Sequence, residues 1–312
     1  MMTAVVLGAN GQDGTFLVRH LLGRGYEVVG IGRRVKSRSK IDSPSFLYRQ
    51  ADLRQESKLA EELNYFKPDF IFHVAAVHTS AGGSYEAVFN DMLQINVATV
   101  HTVLEYLRGS RKSRFIYASS KKVFGEPVPL FINEDTPKKS QCLYSISKNA
   151  AYDLIEYYRA EYGVEASVVY LFNHESEHRP DDFFIPIILK CLSSALSDNG
   201  YVGAVNTLDF YCDWGSAEEY MDLMIDMVEK APEEDFVLAR GDSTYARDLI
   251  EYLFNNYRLD YRKHIQEKHS PQLALQAPYT VDLTKLKHYI HRTPNISIYD
   301  LCKQILERKY SL

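Results

Sequence analysis

From residue 1 to residue 7 the chain is almost wholly apolar. A glycine-spaced polar break follows, and apolar positions then return at helical spacing, as Phe16, Leu17, Leu21 and Leu22 within Thr15 to Gly23. The continuous run predicts a strand covered on both faces, and the spaced run predicts a helix lying on a sheet. Tyr26 to Gly32 repeats the strand pattern, closing a strand-helix-strand unit of the length a dinucleotide fold uses. The alternation continues with an extended segment from Phe46 to Arg49, a helix from Glu56 to Phe66 and a buried run from Phe70 to Ala76. A long helix from Asp91 to Arg108 follows, with Leu93, Val97, Val100, Val103, Leu104 and Leu107 on its buried side and Asn96 within the same pattern. Arg114 to Ala118 reads as a strand, Tyr144 to Tyr162 as a helix and Val164 to Phe172 as a strand. Strands alternating with helices predict an α/β chain with a Rossmann-type, doubly wound parallel sheet.

After Phe172 the pattern changes. Phe183 to Leu196 is an apolar-rich helix interrupted by Pro186, Asn206 to Tyr211 reads as a short strand, and Ser216 to Glu229 as a helix. A late strand from Asp235 to Ala239, a helix from Thr244 to Tyr257, a polar stretch over 263–278 and a closing helix from Ile298 to Lys309 complete the chain. Residues 1–172 are therefore expected to form the dinucleotide-binding core. Residues 173–312 are expected to form a smaller, mostly helical substrate-binding part, with some segments, about 206–230, returning to the core.

The break after the first strand carries the first candidate chemistry. Gly8, Gly11 and Gly14 are spaced three apart around Ala9, Asn10, Gln12 and Asp13, where a strand passes sharply into a helix. Glycines allow such a turn, let a pyrophosphate approach the backbone and let the helix pack closely, while the helix N-terminus favours the phosphate charge. After the second strand, where an acidic residue would accept ribose hydroxyls, the chain has Arg33 and Arg34, followed by Lys36, Arg38 and Lys40. These favour NADP, with NAD possible, unless the run is simply a solvated loop. Asp52-Leu53 lies where a loop reaches an adenine edge, although Asp52 also fits a helix cap. Small residues at the end of the Phe70 to Ala76 run, Ala75 among them, leave room for a flat cofactor. The loop from Gly82 to Phe89 lies over the same cleft.

Ser119 and Ser120 close the strand from Arg114, at the sheet edge where ligands bind in open α/β folds. Tyr144 and Lys148 share one helix face, and an ammonium beside a phenol stabilises the phenolate as an acid/base near neutrality. Ser120 would hold the same substrate oxygen. The polar stretch from Asn173 to Pro180 suits a polar substrate. Its histidines match no compact metal-site spacing, so no metal is expected. Cys142 and His174 are further acid/base candidates.

The formal charge of −5 gives no case for nucleic acid, and no apolar run reaches membrane-spanning length. Four scattered cysteines suit free thiols in a reducing compartment, and with no leader pattern the expected location is the cytoplasm. With 23 tyrosines in the chain, Tyr144 has meaning only through its partners.

Those partners carry a resemblance. The chain resembles the extended short-chain dehydrogenases/reductases of the nucleotide-sugar epimerase/dehydratase type, and most of all the GDP-mannose 4,6-dehydratase group. The segment from Gly8 to Gly14, with its Gln-Asp pair, is similar to that group's glycine loop, and Arg33-Arg34 falls at its NADP-binding arginines. Tyr144 and Lys148 match its YxxxK motif, and Ser119 to Gly125 resembles SSxxVYG. Leu171 to Ser176 is similar to the segment after its sixth strand. The resemblance implies Ser120, Tyr144 and Lys148 as catalytic groups, and Asn173, Glu175, Ser176 and Arg179 as substrate-binding ones. It also implies a homodimer through the helices Asp91 to Arg108 and Tyr144 to Tyr162.

The departures bear on the reaction. Lys122 matches the position of the dehydratase glutamate that moves the proton during loss of water, and a lysine does not replace that carboxylate. His178 and Cys212 match arginines that contact the nucleotide phosphates. What remains is oxidation and reduction at C4 of a nucleotide-linked hexose, by a 4-keto reductase, a 4-dehydrogenase or an epimerase, with a GDP-sugar as the expected substrate. The alternatives are a dehydratase in which another acid, Glu126 or Glu175, serves, and a non-catalytic dinucleotide-binding protein.

Overall fold

The computed structural model describes residues 2–39, 41–79, 83–110, 112–268 and 277–312. Met1, Lys40 and Gly82, and residues 269–276 of the expected polar stretch, lie outside the described residues. In chain order the elements used below are β1 (Thr3–Leu7), α1 (Gln12–Gly23), β2 (Glu27–Gly32), β3 (Phe46–Gln50), α2 (Glu56–Phe66), β4 (Phe70–His73), α3 (Thr99–Gly109), β5 (Arg114–Ser120), α4 (Leu143–Tyr162) and β6 (Ala166–Leu171). They continue with β7 (Asn173–Glu175), α5 (Phe184–Ser197), β8 (Trp214–Ser216), α6 (Ala217–Lys230), β9 (Phe236–Leu238), α7 (Ala246–Asn256), α8 (Thr284–Ile290) and α9 (Ile298–Tyr310).

Seven strands form one parallel sheet in the order β9-β6-β5-β4-β1-β2-β3. Both faces are covered, α1 packing with α6 on one and α2, α3 and α4 lining the other. This is why Ala4 to Leu7 and Ala166 to Leu171 are apolar at nearly every position and buried throughout. The strand order reverses between β1 and β4, and in open α/β sheets the ligand crevice lies at such a point, beyond the strand C-termini. The apolar core of the sheet takes in residues from Ala4 to Phe172, then Ala217 to Ala239 and Tyr279 to Ile290. A second apolar cluster is built from α5, α7 and α9 around Trp214. One ion cluster fastens α6 to α1, with Arg24 reaching Asp222 at 2.6 Å, Asp226 at 2.8 Å and Glu229 at 3.1 Å.

Several expectations need correction. Pro186 does not interrupt α5 but lies in its first turn, where a missing N–H costs nothing. Asn206 to Tyr211 is not a strand. Its backbone is held instead by a carboxylate, Glu267 accepting from the Leu208 N–H at 2.8 Å, and only Tyr211–Cys212 pairs, with Thr244–Tyr245. That pairing delays the start of α7 to Ala246. The long helix is broken by a π-helical turn at Leu93–Ala98 before α3, and α8 carried no sequence signal that marked it. Among the described residues no helix is long and apolar enough to cross a membrane.

Candidate active site

The glycine turn lies at the crevice. Gly8 has φ +98°, and a Cβ there would meet the Ala75 backbone nitrogen at 2.7 Å. Ala75 itself donates to Leu7 O at 2.9 Å, so it packs directly under the turn. A Cβ on Gly14 would stand 2.2 Å from Gly8 O, which means that α1 begins in backbone contact with the turn. Gly11 caps α1 without a side-chain hydrogen bond, leaving the first-turn N–H groups directed at the crevice. A cradle that side chains would fill is what a dinucleotide pyrophosphate requires, so the turn fits that group.

The basic loop after β2 is held by its main chain. Asn10 donates to Lys36 O at 3.2 Å and to the Tyr48 hydroxyl at 2.8 Å, and accepts from the Arg38 N–H at 2.6 Å. Tyr48 in turn donates to Arg34 O at 2.8 Å. Asn10 therefore positions the loop with its side chain. Arg33 and Arg34 are exposed and make no side-chain hydrogen bond or ion pair among the described residues. Asp52 is engaged by Arg54 at 2.6 Å, which continues to Asp91 at 3.0 Å. It does not cap α2, whose first flanking residue is Gln55. Leu53 is buried, its carbonyl accepting from Thr99 at 3.3 Å.

Ser120, Tyr144 and Lys148 come together where β5 meets α4. Tyr144 is buried, and burial raises its phenol above the ordinary value, with the Ser120 hydroxyl acting in the opposite direction. Lys148 is enclosed, donates to Ala118 O at 2.7 Å and lies 4.6 Å from the Tyr117 ring centroid and 5.7 Å from that of Tyr144. Burial pushes its ammonium down to about 7, and the Asp13 carboxylate works in the opposite direction. Asn96 braces the site from the π turn, donating to Ser147 Oγ at 3.0 Å and accepting from the Val77 N–H at 3.0 Å. The π turn leaves carbonyls free, and Tyr117 takes that of Asn96 at 3.0 Å.

Two rings that sequence reading passed over complete the wall around Tyr144. His78 stands edge-on to it at 4.6 Å between centroids, and Tyr85 stacks at 5.9 Å. The available signal was their position in the segment after β4, at the ligand end of the sheet. Lys122 faces this wall, 5.9 Å from the Tyr85 centroid and 3.5 Å from Glu126. Burial opposes its charge, but Glu126, with Tyr85 and Cys142 beside it, outweighs burial and holds the ammonium above its usual value. Lys121 turns away to Cys212 Sγ at 3.6 Å. Cys142 accepts from the Ser145 N–H as the cap of α4, a structural use of the thiol.

The segment from Asn173 to Arg179 closes the other side. His174 Nε2 meets Asp13 Oδ1 at 3.1 Å, Ser176 donates to Gln12 Oε1 at 2.8 Å, and Gln12 donates to His174 O at 3.3 Å. Asn173 pairs through the backbone with Trp214. Glu175 is buried, with one oxygen lacking a hydrogen-bond partner and Arg179 Nε 3.7 Å away, and burial raises its carboxyl. Arg179 lies over the Phe183 ring at 3.8 Å. His178 is near Glu177 at 3.8 Å and packs on Phe16. No cluster of metal-ligating side chains occurs among the described residues.

Residues 5–304 match the family described as GDP-mannose 4,6 dehydratase. The GDP-mannose 4,6-dehydratase of Yersinia enterocolitica is 30% identical over 267 residues, covering 80% of this chain and 70% of its own. The fold is that of the dTDP-glucose 4,6-dehydratase from Bacillus anthracis, solved with NAD, at a TM-score of 0.83 and 17% identity over 100% of this chain and 98% of that one. The UDP-glucose 4-epimerase of Thermotoga maritima, solved with UDP-glucose, is similar at a TM-score of 0.82 and 18% identity, over 99% of each chain.

Proposed function

The chain belongs to the GDP-mannose 4,6-dehydratase family, and on that premise we propose that it oxidises or reduces C4 of a nucleotide-linked hexose, with NADP as the preferred cofactor, as a 4-keto reductase, 4-dehydrogenase or epimerase. The observation that carries this reading is the convergence of Ser120, Tyr144 and Lys148 beside the glycine cradle, with a lysine at position 122. A dinucleotide held over the glycine turn would supply hydride transfer to or from the sugar C4. Tyr144 exchanges the proton of the 4-oxygen, Ser120 holds that oxygen, and the Lys148 cation stabilises the phenolate. In the closed site burial keeps the phenol protonated, the form that delivers a proton to a 4-keto oxygen as hydride arrives at C4. Asn173, Glu175, Ser176 and Arg179 would contact the sugar nucleotide. The exposed Ile146 and Tyr157 on α4 support a homodimer through α3 and α4.

Incubation with GDP-mannose and related GDP-, CDP- and UDP-sugars in deuterated water, read by mass spectrometry, tests the reaction. A change of two hydrogens, or an isomer of unchanged mass, is expected. Loss of water with deuterium entering the sugar would instead establish a dehydratase working without the usual glutamate. Glu175, a buried carboxyl with one oxygen that accepts no hydrogen bond, favours that second reading.

The cofactor preference has its own test. Replacing Arg33 and Arg34 together by Ala removes charged contacts to a 2′-phosphate worth about 1.5–3 kcal/mol. NADP affinity should fall roughly 10- to 100-fold with NAD affinity nearly unchanged, as read by calorimetric titration. Equal loss for both cofactors would refute the assignment.

A further inference from the structure

Gln12 and Asp13 open α1, and their side chains reach across to the segment that follows β6. Ser176 donates to Gln12 Oε1 at 2.8 Å, which turns the Gln12 amide nitrogen toward His174 O at 3.3 Å and Asp13 Oδ1 at 3.2 Å. The same carboxylate oxygen meets His174 Nε2 at 3.1 Å, and two donors converging on one oxygen suit the ionised form. His174 Nδ1 faces Phe172 O at 2.7 Å, a group that only accepts. A neutral imidazole has a single N–H, so two acceptors require both protons and the ring is an imidazolium. Two short links, one of them an ion pair, therefore join the first turn of α1 to His174 and Ser176.

The residues so held carry the turn on the substrate side. The Ser176 hydroxyl accepts from the His178 N–H at 3.1 Å while it donates to Gln12, and Ser176 O accepts from the Arg179 N–H at 3.1 Å. Arg179 is thus aimed by a turn built on a serine that is itself anchored to α1. Its guanidinium lies 3.8 Å over the Phe183 ring, Phe183 stacks on His78 at 5.9 Å, and His78 meets Tyr144. Arg179 Nε has no hydrogen-bond partner among the described residues, and Glu175 stands 3.7 Å from it. At the other end of the links, Gly11 leaves the N–H groups of Gln12 and Asp13 without a side-chain cap. The residues whose main chain would meet a pyrophosphate are the ones whose side chains hold the Arg179 turn.

We propose that the links from Asp13 to His174 and from Gln12 to Ser176 are a clamp that couples the two ligand sites: order imposed on the first turn of α1 by a dinucleotide passes to the turn carrying Arg179, and the protein then binds the diphosphate of a sugar nucleotide more tightly. A second ligand that meets an already ordered turn loses less conformational freedom on binding. The proposal rests on the reading that residues 173–179 meet the sugar nucleotide. Calorimetric titration of GDP, UDP and CDP in turn, each with and without saturating NADP, tests it, because a nucleoside diphosphate has no hexose to touch the nicotinamide. The diphosphate that binds should do so about 5-fold or more tightly with NADP present. In Ser176→Ala and in Asp13→Asn that ratio should fall close to one. A merely structural loss would weaken the titrations with and without NADP alike and leave the ratio standing. Imidazole 15N shifts should show His174 doubly protonated at neutral pH in the unaltered protein.

A ratio of one in the unaltered protein, a ratio unchanged in either folded variant, or a neutral His174 overturns the proposal, while binding of the diphosphate keeps the substrate reading intact. Binding of none of the three diphosphates overturns that reading and the proposal with it. Should Asp13→Asn fail to fold, Ser176→Ala, which removes a single hydroxyl, and the 15N measurement on the unaltered protein decide the matter.

Discussion

Tyr144→Phe is expected to abolish hydride transfer, lowering turnover roughly 10³-fold, while dinucleotide and sugar nucleotide still bind. The substitution deletes one oxygen from a ring packed against both His78 and Tyr85, which also contact each other, so the wall of the site survives it. On the proposed reading, what is lost is the group that exchanges the proton of the 4-oxygen, and neither nearby candidate replaces it. The Ser120 hydroxyl has no ordinary acid/base range near neutrality. Lys148 is bonded to Ala118 O. The loss should therefore fall on kcat, with KM little changed, because the phenolic proton moves in the transition state and contributes little to ground-state binding. Stopped-flow reading of nicotinamide absorbance, beside equilibrium titration of cofactor, separates the two. Preserved turnover in Tyr144→Phe would remove Tyr144 from the chemistry.

How far such a site could be seen in the sequence depended on the kind of force that builds it. The sheet strands were legible because burial on both faces leaves no alternative to a continuous apolar run, as in Ala166 to Leu171. The glycine turn was legible because Gly8 and Gly14 answer to a local steric demand. Tyr144 and Lys148 share one helix face, so their proximity followed from helical period alone. The π turn at Leu93–Ala98 was hidden, because its freed carbonyls are satisfied by Tyr117 and His73 from other strands. The basic loop likewise depends on Asn10 and Tyr48, distant in sequence from the arginines they position. The stretch around Leu208 has the local pattern of a strand, but its backbone is held by Glu267, a side chain far along the chain. The His174–Asp13 pair joins residues far apart in the chain, and no spacing rule reaches that distance.

The steric demand at Gly14 leads to the largest structural effect expected. In Gly14→Ala the new methyl would stand 2.2 Å from Gly8 O and 2.6 Å from Ala9 Cα, both backbone atoms with no rotamer to change. Relief requires α1 to lift from the turn. That motion would separate Gln12 and Asp13 from Ser176 and His174 and pull Phe16 and Leu17 out of the core. A destabilisation of about 4 kcal/mol or more is expected from this overpacking against immovable backbone, together with loss of dinucleotide binding in whatever protein folds. Gly23→Ala is the matched control. It lies in the last turn of the same helix, and a methyl there would have nothing within 4 Å beyond its own helix and chain neighbours, so helix propensity alone should leave stability unchanged or raise it by about 0.5–1 kcal/mol. Chemical denaturation with cofactor titration compares the two variants directly. Similar midpoints for Gly14→Ala and Gly23→Ala would mean that α1 tolerates displacement from the turn, and the close backbone contact would then lose its place in cofactor binding.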